Sequence, residues 1–184
     1  MDAVDVRRGA VDRLVPYVAE TAASSLALAT ELLTREAALL DEQRWDEWLS
    51  LFFDDCEFWV PAWKNESELI EDPRRELSHI YHGNRAGLEE RVFRIRSGRA
   101  PAALRLPRTL HLVTNVRVEG PEEGRAVLKS SWITHSYYQR TNQVYSFFGR
   151  YEHELLLRPN WGIKRKKVVV LNDRLPGSLD FYNV

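Results

Sequence analysis

The amino-acid sequence predicts an α+β domain in which a curved, mostly antiparallel sheet wraps around N-terminal helices. Three observations predict it. Residues 21–42 have helical periodicity, with Leu26, Leu33, Ala37 and Leu40 on one stripe and charges between them. A shorter helix over Arg85–Arg96 repeats Leu88, Val92 and Ile95 at i, i+4, i+7. From Arg108 onward the chain turns to long runs of alternating residues. Helices first and long strands later give an α+β layout rather than a parallel α/β one. Breaks in the alternation imply bulges that bend the sheet around the long helix.

The elements follow in order. Residues 1–20 read as a charged arm, where Pro16 interrupts the helical spacing of Val11, Leu14, Val15 and Val18. Residues 21–184 read as one domain. After the long helix, RWDEWLSLF sets Trp45, Trp48, Leu49 and Phe52 at helical spacing. Asp54-Asp55 reads as a polar break, and Cys56–Val60 as a strand that Pro61 stops because proline cannot donate to a ladder. Ala62–Arg75 is a polar, acidic excursion, and Glu76–Tyr81 resumes a strand. Asn84 is placed to cap the Arg85–Arg96 helix by accepting from its free backbone N–H groups. Ser97–Pro107 has no periodicity and reads as a long loop. In Thr109–Val118 the alternation puts Leu110, Leu112, Val116 and Val118 on one face and His111, Val113, Asn115 and Arg117 on the other. EGPEEGR is a turn, and Ala126–Tyr138 and Val144–Leu157 are strands, with Gly149 suited to a bulge. Trp161–Leu171 is the last strand, with a phase slip expected between Lys167 and Val168.

Composition narrows the function classes. A net charge of -1 provides no field favouring nucleic acid or an anionic membrane. The single cysteine, Cys56, cannot form an internal disulfide, and it excludes a cysteine-built cluster or zinc site within the chain. The charged start does not read as a leader, and Thr21–Thr30 has about half of the roughly 20 apolar residues a membrane span requires. These features predict a cytoplasmic protein. Six Trp, seven Tyr and seven Phe supply more aromatic surface than one core needs, which points to contacts with partner chains.

The five histidines form no metal-binding spacing, and His79 and His82 lie three apart on a strand, on opposite faces. Tyr81, His82, His111 and Asp55 are candidates for an acid–base site inside a curved sheet, as in a dehydratase or isomerase. Lys164-Arg165-Lys166-Lys167 reads as a solvated edge that resists edge-to-edge aggregation. Seven arginines lie between Arg85 and Arg108, and no carboxylate separates Glu90 from Glu119. This segment is the candidate contact surface for a partner subunit: Arg91, Arg94, Arg96 and Arg108, with His111 and Asn115 on the following strand.

Several blocks, in the same order, carry a resemblance to a known family. EAALLDEQRWDEWLSLFFDDCEFWVPAW resembles the opening of the small (β) subunit of aromatic-ring-hydroxylating dioxygenases, the Rieske non-haem iron oxygenases. IYHGNRAGLEERVFRIRSGRAP and RTLHLVTNVRV resemble that family's middle, and SFFGRYEHELL and LDFYNV its end. NRAGLEERVFRI looks most like the benzoate and anthranilate dioxygenase branch, which acts on aromatic carboxylates. The resemblance implies a cone-shaped fold of the nuclear transport factor 2-like type. It also implies assembly of three β with three α subunits, the β subunits forming a trimer. The Rieske [2Fe–2S] cluster, the mononuclear iron and the substrate pocket would all belong to the α subunit, leaving this chain no cofactor and a structural role.

Overall fold

Helix α1 (26–41) is the piece the sheet closes over. Ala29, Leu33, Leu39 and Leu40 bury its inner stripe, while Leu26 stays half exposed at its start. The computed structural model describes residues 26–97, 106–122, 124–158 and 160–184. The arm expected over 1–20 and most of the loop expected over Ser97–Pro107 lie outside the described residues.

Helix α2 (Trp45–Ser50) buries Trp45 and Trp48, and β1 (Phe52–Pro61) follows at once. Strand β1 continues through Asp54-Asp55, but its register with β6 shifts between Phe52 and Glu57, so the expected break is an irregularity inside the strand and not its boundary. Both carboxylates lie exposed and are paired, Asp54 with Arg85 at 2.5 Å and Asp55 with Lys164 at 2.7 Å. The excursion 62–77 leads to β2 (Ser78–His82), and α3 (Arg85–Arg96) buries Leu88, Val92 and Ile95 as its spacing predicts. Asn84 caps α3, its side chain accepting from the Gly87 N–H at 3.2 Å. Strands β3 (Arg108–Glu122), β4 (Arg125–Tyr138), β5 (Gln143–Leu157) and β6 (Trp161–Val170) complete a six-stranded sheet of order β2-β1-β6-β5-β4-β3. All pairings are antiparallel except β1 with β6.

Bulges set the faces, and those on β3 and β6 lie where alternation alone misplaces them. On β3 the register with β4 shifts between Thr114 and Arg117, where Asn115 takes φ 55°. The extra residue carries Val116 and Val118 to the inner face with His111 and Val113. Leu110, Leu112 and Arg117 are left outside, so the expected grouping fails at the bulge. Gly149 is in regular register with Trp132 and Val170 and is not a bulge. It is needed because a Cβ there would stand 1.8 Å from the Val169 carbonyl oxygen. On β6 the shift falls opposite Glu154/Leu155, and Glu152↔Lys167 and Tyr151↔Val168 pair in step, so the slip expected at Lys167 sits earlier.

The C-terminal residues are part of the core. A short 3₁₀ turn, Phe181–Asn183, is capped by Asp180, whose side chain accepts from the Phe181 N–H at 2.8 Å. Phe181 stacks on Trp48 at 4.8 Å and meets Trp45 edge-on at 5.4 Å. Val184 is fully buried.

Candidate functional site

The interior of the cone holds a charged cluster built from four elements. Lys166 on β6 is 1% exposed, so this run of cations is a central strand and not the solvated edge expected. Its Nζ reaches Glu36 Oε1 on α1 at 2.8 Å, and it lies over the rings of Tyr151 at 4.5 Å and Phe58 at 5.6 Å. Trp48 Nε1 donates to the same oxygen at 3.3 Å, and His153 Nε2 lies 3.1 Å from Oε2. Burial pushes the Glu36 carboxyl up, but the charge of Lys166 and the hydrogen bonds from His153 and Lys166 outweigh it. The carboxyl is held well below the ordinary range. Burial, only partly opposed by Glu36, pushes the His153 imidazole down, so it is neutral at pH 7. The ionised carboxylate therefore takes the Nε2 proton, and His153 Nδ1 is a buried acceptor without a partner. One cation, one anion and a neutral ring balance, which is how charges survive so deep in a core.

A second pair lies at the far edge of the sheet. Asp41, at the end of α1, accepts from the backbone N–H of His111 at 2.9 Å and meets its Nδ1 at 2.6 Å. Burial pushes the Asp41 carboxyl up, but these bonds from His111 prevail and hold it below its ordinary value. The pair fastens β3 to the long helix from inside; the His111 side chain is 2% exposed.

The acid–base candidates are not brought together. Tyr81 and His82 are on β2 and His111 on β3, the two opposite edges of the sheet order. The Tyr81 hydroxyl faces Glu57 at 3.5 Å, and His82 lies on the opposite face of the strand, against Gly87 of α3. Asp55 belongs to the exposed pair with Lys164. Of the candidate contact residues, Arg91 grips Asp180 at 2.6 Å and so holds the C-terminal turn. Arg94 pairs with Glu90 on the exposed side of α3, and Arg96 forms a two-pronged bridge to Asp46 at 2.8 and 2.9 Å. Arg108 is exposed at the start of β3, and Asn115 Nδ2 donates to Ser131 Oγ at 3.3 Å at the bulge.

The outer face of β3, β4 and β5 has a feature that spacing did not reveal. Register sets Leu110 beside His135 and Ser146, and Leu112 beside Ile133 and Phe148. Leu110, Leu112 and Phe148 are 55%, 47% and 43% exposed, with Arg108 next in line on the same strand. An antiparallel sheet with apolar residues on both faces has one face short of a cover.

The chain matches the family model described as ring hydroxylating beta subunit over residues 35–177. It is 40% identical over 158 residues to the anthranilate 1,2-dioxygenase small subunit of Acinetobacter baylyi, covering 84% of this chain and 94% of that one. The β subunit of the benzoate 1,2-dioxygenase from Burkholderia mallei superposes with a TM-score of 0.69 at 34% identity, covering 84% of this chain and 94% of that one. A naphthalene 1,2-dioxygenase structure with indole in its active site gives 0.69 at 22% identity, over 87% and 86% of the two chains, and supports the fold. With the cone, its helical filling and a match spanning most of its length, the chain belongs to the ring-hydroxylating dioxygenase β-subunit family.

Proposed function

We propose that this chain is the structural β subunit of a cytoplasmic dioxygenase that hydroxylates an aromatic carboxylate, assembled as three copies with three of a catalytic α subunit. The observation that carries the reading is the uncovered apolar face of Leu110, Leu112 and Phe148 beside Arg108, on a chain whose interior is filled by its own ion cluster. The substrate class follows from relatives that act on anthranilate, toluate, 2-halobenzoate and benzoate.

The donor set argues for cofactors in the partner. A Rieske centre takes two cysteines and two histidines. This sequence has one cysteine, buried, and its described residues contain no group of three or more His, Cys, Asp or Glu suited to a metal. One cysteine does not fit the cluster, the described residues offer no set for a mononuclear iron, and no chemical step is assigned to this chain. Contacts are assigned to Arg108 and Asn115 on the outer face and to Arg94 and Arg96 on exposed α3. Arg91 and His111 act on those surfaces from within, by holding the C-terminal turn and β3 in place.

A tagged copy recovered from its native host tests the reading. It should bring down a larger protein in roughly equal amount, with the visible absorbance of an iron–sulfur centre. A colourless chain recovered alone in gentle salt overturns it.

A further inference from the structure

Beyond the apolar patch, the outer face of the sheet changes character. Across one row, Arg117 on β3 lies directly opposite Lys129 on β4, then come Glu152 on β5 and Lys167 on β6. Arg150 stands one row away, opposite Ser131. These four cations and Glu152 line an open groove of about 750 Å³, with Leu69 of the excursion as its far wall. Like charges set directly across a strand pair destabilise a sheet. The relief available in the chain is partial: Lys129 pairs with Glu119 at 2.6 Å and Lys167 lies over the Trp59 ring at 4.9 Å. Among the described residues, Arg117 and Arg150 have no carboxylate partner.

We propose that this groove receives a carboxylate-rich segment of the α subunit, a docking site distinct from the apolar patch and dependent on the assembly reading above. The cations span four neighbouring strands, about 14 Å at the usual strand spacing, which is too wide for one small anion and suits an extended acidic segment. A second copy of this chain fits less well. Two such grooves face to face would oppose cation to cation, and the chain's own Glu68 and Glu71 line a neighbouring pocket with Lys167.

The test compares wild type with an Arg117→Gln/Arg150→Gln double variant, each co-expressed with the α subunit. Dissociation of the complex is followed by native-state sizing from low to high salt. Wild type should dissociate more readily as salt rises, and the double variant should bind at least about tenfold more weakly at low salt, with a flatter salt dependence. The lone variant should keep the wild-type melting temperature, which separates lost docking from lost folding. A double variant that assembles with wild-type affinity and salt dependence overturns the groove while the assembly reading stands. So does a variant that changes only self-association of the lone chain. Wild-type chains that never assemble with the α subunit overturn both.

Discussion

Lys166 is the cation that makes a buried Glu36 tolerable, and the two are unequal as targets for substitution. Lys166→Met removes the ammonium and leaves a carboxylate with only Trp48 and His153 against it. Stranding a buried charge costs about 3–5 kcal/mol, read as a lower urea midpoint. Adding Glu36→Gln to that variant should recover much of the loss, because a neutral amide can still meet both partners. A double variant less stable than Lys166→Met would contradict the charge assignment. The same cluster sets the acid limit of the fold. His153 is pushed down by burial, as are His79 and His82, so the unfolded chain takes up protons more readily below its histidine pKa of about 6.5. Stability should therefore decline as pH falls below about 6.5. Glu36 is held low, so its contribution is present above the unfolded carboxylate value and is lost progressively below about 4.5. Melting temperatures from pH 8 to pH 4 should fall in these two stages, with the first weakened in His153→Gln. A curve that is flat down to pH 5 would rule out the neutral buried imidazole.

At the scale of elements, close approach matters as much as burial. Gly149 lets β5 lie against β6, and the Cβ of alanine would collide with the Val169 carbonyl. Because the obstacle is backbone, Gly149→Ala should cost about 3 kcal/mol or more, at the upper end of overpacking effects, in a denaturant titration. A near-neutral result would mean the two strands can separate there. The sequence makes α3 legible to the residue, because Leu88, Val92 and Ile95 repeat on one stripe and Asn84 precedes them. It makes the late strands legible as elements through their alternation. The faces of β3 are not legible, since a bulge inserts one residue and reverses the alternation beyond Asn115 with no break in the pattern there; on β6 the slip is legible, but it falls earlier, at Lys164, than the alternation suggests. The ion cluster did leave a trace: Glu36 falls between Leu33 and Leu40 on the buried stripe of α1, and Lys166 is in phase with Val168 and Val170. A charge in phase with apolar neighbours on two elements is a signal for a buried pair, although which charges meet is settled only by topology.

For the whole molecule, the central question is what covers the outside of the sheet. The inside is satisfied by α1, α2 and the C-terminal turn, and nothing among the described residues covers Leu110, Leu112 and Phe148 outside. Interfaces concentrate their binding energy in a few desolvated apolar and arginine anchors. Leu112→Asp should therefore prevent assembly with the α subunit while leaving the lone chain within about 0.5 kcal/mol of wild type, as exposed substitutions usually do. Arg108→Ala, on the same strand and face, should weaken assembly by about 2–5 kcal/mol if its charge is desolvated against a partner carboxylate. Arg94→Ala should act more weakly, because its pair with Glu90 is exposed on both sides and contributes little to the fold. Sizing of each complex beside the melting curve of each lone chain checks all three. If Leu112→Asp and Arg108→Ala both assemble as wild type does, the apolar patch is not part of the contact surface, which must then lie in the cationic groove or on α3 around Arg94 and Arg96.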